Sequence, residues 1–140
     1  MSEAIMPASL LPQVTAFVAD WPDEPMRRVF IELAEMLNGL PGVTCDFIAR
    51  PGVSYSLRPR HKKQQERPLF AMIDVIDDEP RWLSVCFYED MISDPEEAGD
   101  LVPGGLAGSD GYCFDLTTPE RLAYVGARLM EAFREAASSQ

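Results

Sequence analysis

Between Leu40 and Val43 the spacing of apolar residues changes from a helical period to a period of two, and this switch does most to restrict the fold. Upstream, Met26, Val29, Phe30, Leu33, Met36 and Leu37 form one helical stripe, opened by Pro25 and closed by Gly39. Downstream, Val43, Cys45 and Phe47 alternate with Thr44, Asp46 and Ile48. After the turn at Arg50-Pro51-Gly52, Val53, Tyr55 and Leu57 alternate with Ser54 and Ser56. A nearly continuous apolar run from Pro68 to Ile76 follows. Asp77-Asp78-Glu79-Pro80 then makes a turn, and Leu83, Val85 and Phe87 oppose Trp82, Ser84, Cys86 and Tyr88. Connections this short exclude parallel crossovers, which need about a dozen residues or more, so the strands are expected to run antiparallel.

Helices are expected at both ends. From Ser9 to Ala19, Leu10, Leu11, Val14, Phe17 and Val18 repeat at helical spacing with Ser9 as the cap, and Asp20-Trp21-Pro22-Asp23 breaks the pattern. Glu89 to Gly111 has no period and reads as a long loop. Tyr112 to Leu116 can supply a fifth strand, and Thr117 or Thr118 caps a helix that turns Leu122, Val125, Leu129 and Phe133 to the core. The expected fold is α+β with two layers: an antiparallel meander of about five strands, covered on one face by the N- and C-terminal helices. A length of 140 residues suits one core. The expected boundaries are a single domain over 9–137 with tails at 1–8 and 138–140.

The formal net charge of -11 and pI near 4.4 repel phosphate backbones and anionic lipid, so neither nucleic acid nor membrane is an expected partner. No apolar run approaches the roughly 18 residues of a membrane span, and Met1 to Pro7 lacks the basic start of a secretory signal, which leads to a cytoplasmic expectation. Cys45, Cys86 and Cys113 are odd in number and widely spaced, which suggests buried free thiols instead of a disulfide framework or metal knuckle. Pro103 to Gly111 holds the glycines of a phosphate cradle but opens onto Tyr112-Cys113-Phe114, not a helix; no cofactor is expected.

The run from the second helix through Val43-Thr44-Cys45-Asp46, Tyr55-Ser56-Leu57-Arg58, Pro68-Leu69-Phe70-Ala71 and Leu83-Ser84-Val85-Cys86-Phe87 to the closing helix resembles the YdhG-like bacterial domains of unknown function. The resemblance covers residues 25–135. It implies the same element order and, through members proposed to handle iron in the manner of frataxins, acidic metal-contacting residues. No position here matches a metal motif of that group.

Ten of the 23 acidic residues lie between Asp74 and Asp100. Asp77, Asp78 and Glu79 are the candidate metal ligands, because clustered carboxylates supply hard oxygen ligands. The strand between Asp77 and Glu89 would hold the two acidic groups about 30 Å apart or more, so solvated loops are the plainer reading. Arg58, Arg60, Lys62, Lys63 and Arg67, with His61, form a basic connection between the second and third strands. It could take an anion or dock onto an acidic loop of another copy. His61 is the only histidine, and a mobile loop would give its ring no wall, which disfavours a histidine-based hydrolase. Tyr55, Trp82, Cys86, Tyr88 and Tyr112 are the candidate ligand or partner surface, on a sheet face left open by the helices. The expected function is a non-enzymatic binding or protein-interaction domain using that face and residues 89–111, with a small molecule, an unknown protein or a second copy as partner. The alternative is frataxin-like handling of iron.

Overall fold

The computed structural model describes residues 11–139, which form three α-helices and one six-stranded antiparallel sheet. Ser9 and the expected tail over 1–8 lie outside the described residues. Helix α1 (Pro12–Asp20) places Pro12 in its first turn, where no intrahelical donor is lost, and buries Val14 and Val18. Phe17 packs its ring against Trp21 at 5.3 Å, Phe30 at 5.8 Å, Phe47 at 5.5 Å and Tyr55 at 4.4 Å. That aromatic cluster ties α1 to helix α2 (Pro25–Asn38) and to the sheet. Helix α2 buries the stripe read from its sequence except for Met36, which is half-buried, with Phe30, Leu33 and Leu37 fully enclosed.

Strands β1 (Val43–Arg50), β2 (Ser54–His61), β3 (Met72–Ile76) and β4 (Trp82–Phe87) follow as a meander. Strands β5 (Asp100–Leu106) and β6 (Ser109–Leu116) complete the sheet in the order β1-β2-β3-β4-β6-β5. The register aligns Phe47, Leu57, Ile73, Val85 and Phe114 in one row across five strands. Leu57, Ile73, Val85 and Phe114 are buried on the side where the helices lie. Thr118 Oγ1 accepts from the Glu120 N–H at 3.4 Å and opens a 3₁₀ turn into helix α3 (Leu122–Ala137), which buries Val125 and Leu129. The two-layer α+β arrangement with terminal helices on one face is therefore the observed one.

Three details differ from the sequence reading. First, residues 89–111 are not one loop, because β5 and the start of β6 form a hairpin within them. Pro103, Gly104 and Gly105 erase the alternation there, and the edge position leaves most of β5 exposed, so no apolar face needs to show. Second, β2 continues through Arg58-Pro59-Arg60-His61. Pro59 fits because its carbonyl takes the Phe70 N–H at 2.9 Å on the side away from β1, where its own missing donor would also point. Third, Ser138 and Ser139 close α3 instead of trailing from it: both hydroxyls donate to the Glu135 carbonyl, at 3.1 and 3.3 Å.

The segment that carries the chain from β4 to the far edge is organised by Asp94. Its carboxylate accepts from the N–H groups of Ala98 (3.0 Å) and Gly99 (2.9 Å), from the Tyr112 hydroxyl (2.7 Å) and from the Tyr124 hydroxyl. Burial acts to raise its pKa, but the Tyr124 hydroxyl, the two backbone donors and the Tyr112 hydroxyl outweigh it and hold the carboxyl well below the usual range. Tyr112, bonded to that carboxylate and partly desolvated, is pushed up to about 12.

Because the Asp94 pKa is lower folded than unfolded, its contribution is complete above the unfolded value of 3.8 and is lost as pH falls toward the folded one. Asp94→Ala is expected to cost about 2 kcal/mol or more in urea unfolding at neutral pH. Asp94→Asn should flatten the acid limb of the stability profile, and an unchanged limb would contradict the assignment.

Candidate functional site

Since all three helices cover one face, every second residue of the strands points the other way. On that open face the register sets Ile48, Ser56, Asp74, Ser84 and Asp115 in one row across five strands. Beside it runs a second row of Arg50, Ser54, Ile76 and Trp82. Although no helix among the described residues covers it, Ser54 and Ser56 are only 4% and 1% exposed. Arginine side chains lie along the strands next to them: Arg58 Nε donates to Ser56 Oγ at 2.9 Å, and Arg50 donates to Ser54 Oγ at 3.2 Å.

Asp74 sits at the middle of the band, with Ser56 and Ser84 as its cross-strand neighbours and one carboxylate oxygen, Oδ1, enclosed without a hydrogen-bond partner. Burial raises its pKa, and the Ser56 hydroxyl and the Arg58 and Arg50 guanidinia offset only part of that rise. A desolvated carboxylate in a serine and arginine band is the most chemically distinctive feature of this face. The sequence carried a signal for it, in the alternating Ser54, Ser56 and Arg58, but Asp74 read as one more member of an acidic block.

The predicted surface is only partly assembled. Trp82 and Cys86 belong to the open face, together with Met72 opposite Cys86. Tyr88, just beyond β4, is buried with the Arg67 guanidinium 4.0 Å above its ring. Tyr55 and Tyr112 are on the other side: Tyr55 stacks on Phe17, and Tyr112 contacts Phe114 and bonds Asp94. They line the helix-covered face because they share strand parity with Leu57 and Phe114.

The cysteine expectation is overturned. Cys86 and Cys113 are directly opposite across β4 and β6 and form a disulfide, leaving Cys45 as the free thiol. Burial, reinforced by Asp46, pushes the Cys45 thiol up to about 11, so it is a poor nucleophile.

The basic connection is not one patch. Arg58 lies on the open face, Arg60 pairs with Asp46 of β1 at 3.0 Å, and Arg67 makes a bidentate pair with Asp90 at 2.8 and 3.1 Å. Lys62 and Lys63 are exposed in the following turn. His61 has the wall that its expected loop position denied it: it is buried, 5.7 Å from the Phe133 ring, and its Nδ1 accepts the Lys63 N–H at 3.1 Å. Gly42 makes room for that ring, since a Cβ there would come within 2.6 Å of Nε2.

The acidic turn is likewise committed. Asp77 accepts from the Gly52 N–H (2.7 Å), the Tyr55 hydroxyl (3.3 Å) and Arg81 Nε (3.1 Å), while Asp78 accepts the Trp82 indole N–H at 2.7 Å and Glu79 is exposed. Among the described residues no three Asp, Glu, His or Cys side chains are grouped to hold a metal ion. No helix among them is long and apolar enough to cross a membrane.

Two outcomes follow from these placements. Unfolded without reductant, the protein should alkylate at Cys45 alone, and reduction should destabilise it by about 3–4 kcal/mol for the 27-residue separation the bridge closes; three reactive thiols would contradict the pairing. Asp74 has its pKa raised on folding, so its contribution worsens as pH rises above 3.8. Asp74→Asn should therefore leave thermal stability at neutral pH unchanged or higher, and a clear loss would mean that the carboxylate is a well-paired anion. Comparisons of the chain with protein-family models, with curated proteins and with solved structures found no match.

Proposed function

We propose that the chain is a non-enzymatic interaction domain whose open sheet face receives a protein partner. The observation that carries this reading is the band of Arg50, Arg58, Ser54, Ser56, Asp74 and Ser84 on a face that none of the described helices covers. A face meant only for water has no need of a half-buried carboxylate with an unpartnered oxygen, which lowers stability and is characteristic of surfaces kept for binding. Trp82 and Ile76 flank the band, giving the apolar anchors and hydrogen-bonding groups that interfaces combine.

A protein suits this face better than a small molecule because small-molecule sites are concave. Hollows open elsewhere, such as one of about 610 Å³ between α2 and α3, lined by Met36, Leu122, Gly126 and Met130. The histidine is walled in, the thiols are either paired or suppressed, and Asp77 and Asp78 are already bonded, which supports binding as the role of this face. The Cys86–Cys113 disulfide also favours an oxidising working environment over the cytoplasm anticipated from the sequence.

Ser84→Arg would put bulk and charge at the centre of the band, next to Asp74, while Glu32→Arg changes exposed surface on α2. Affinity capture from the source cells should retain a partner on the wild type and on Glu32→Arg and lose it on Ser84→Arg. Equal retention by all three proteins would contradict the assignment of this face.

A further inference from the structure

The two edges of the sheet are built differently. Strand β5 carries Pro103, Gly104 at φ 71° and Gly105, and its ladder with β6 shifts register between Val102 and Leu106. Proline and bulges blunt an edge against further pairing. Strand β1 has neither. Its eight residues pair with β2 without a break, from Val43↔His61 to Arg50↔Ser54, and contain no proline or glycine.

The Lys62 N–H donates to the Gly42 carbonyl at 3.0 Å, which makes Val43↔His61 a non-hydrogen-bonded pair. The ladder therefore uses the backbone of Thr44, Asp46, Ile48 and Arg50, and turns that of Cys45, Phe47 and Ala49 outward. No hydrogen bond from another described segment meets these three residues. Beside them Ile48 is 40% exposed, while Cys45 and Phe47 are only half-buried although they lie on the helix side.

We propose that β1 pairs antiparallel with β1 of a second copy, about a two-fold axis through Ile48, so that two six-stranded sheets become one. Side chains opposite each other in antiparallel strands share a face, so the axis must pass through a residue. An axis at Asp46 would set that carboxylate against itself. An axis at Phe47 would set Asp46 against Ile48 and Arg50 against Thr44. Only an axis at Ile48 places Asp46 of each copy opposite Arg50 of the other, covers Ile48 with its own counterpart and lets Phe47 and Ala49 exchange backbone hydrogen bonds. The edge is self-complementary in charge in that register, which selects a second copy over an unrelated peptide. The pairing also makes the two open faces contiguous. It goes beyond the partner-binding reading and is independent of Ser84, so either can fail alone.

Sedimentation over a concentration series should show a dimer. Asp46→Arg and Arg50→Asp should each weaken it by about tenfold or more, by opposing like charges, and the double variant should recover it. Recovery would report the contact between copies, because the double variant does not rebuild the Arg60 pair within one chain. In a Cys45→Ser background, Ile48→Cys should cross-link two copies on mild oxidation. A monomer up to millimolar concentration, a dimer indifferent to the single reversals, or cross-linking through Asp46→Cys and not through Ile48→Cys would overturn the proposal.

Discussion

The structure rests on the burial of one sheet face beneath helices that all come from the ends of the chain. Leu57, Ile73, Val75, Leu83, Val85, Phe87 and Leu116 meet Phe30, Leu33, Leu37 and Leu129 in a single closed layer. Removing this much apolar surface from water is the dominant favourable term available to a domain of this size. Its geometry also dictates the rest. With both helical ends spent on one side, alternate residues of every strand must face a side that none of the described helices covers, and the sequence fills that side largely with serines, arginines, aspartates and a disulfide.

Charge follows the same division. The net charge of -11 suggests an unbalanced surface, yet the acidic block from Asp74 to Asp100 is largely engaged within the chain. Asp77 holds the β1–β2 turn and Arg81, Asp90 holds Arg67, Asp94 holds its own loop against β6 and α3, and Glu96 pairs with Arg121 at 2.5 Å. The two exposed pairs among these, Asp90–Arg67 and Glu96–Arg121, contribute little to stability individually. The effect of the set is to fix where the long connections run, and so to keep both the hairpin at the far edge and the open face in place.

Much of the fold was legible because burial imposes its period on the chain. The stripe of α2 and the alternation in β1 and β4 are each written by one buried face, and the start of α3 by the Thr118 cap. β5 was not legible, since an exposed edge needs no alternation and Pro103-Gly104-Gly105 conceals what remains. The end of β2 was hidden because Arg58, Arg60 and His61 resemble a solvated loop until Asp46 and Phe133 are known to lie beside them. The disulfide depends on strand order: Cys86 and Cys113 meet only because β6 inserts between β4 and β5, a long-range fact that no local pattern encodes. Trp82 and Cys86 lie on the open face, whereas Tyr55 and Tyr112 lie on the covered one, where Tyr55 shares the alternation of Leu57 and Tyr112 that of Phe114.

The central claim is that the two faces of the sheet differ, one sealed and one open. Nuclear magnetic resonance with a soluble nitroxide measures this directly, by the broadening of each methyl and indole signal. The account predicts strong broadening at Ile76 and Trp82 and protection at Leu57, Ile73, Leu83 and Val85. Comparable broadening of the two sets, or protection of Trp82 and Ile76 with exposure of Ile73 and Val85, would contradict it.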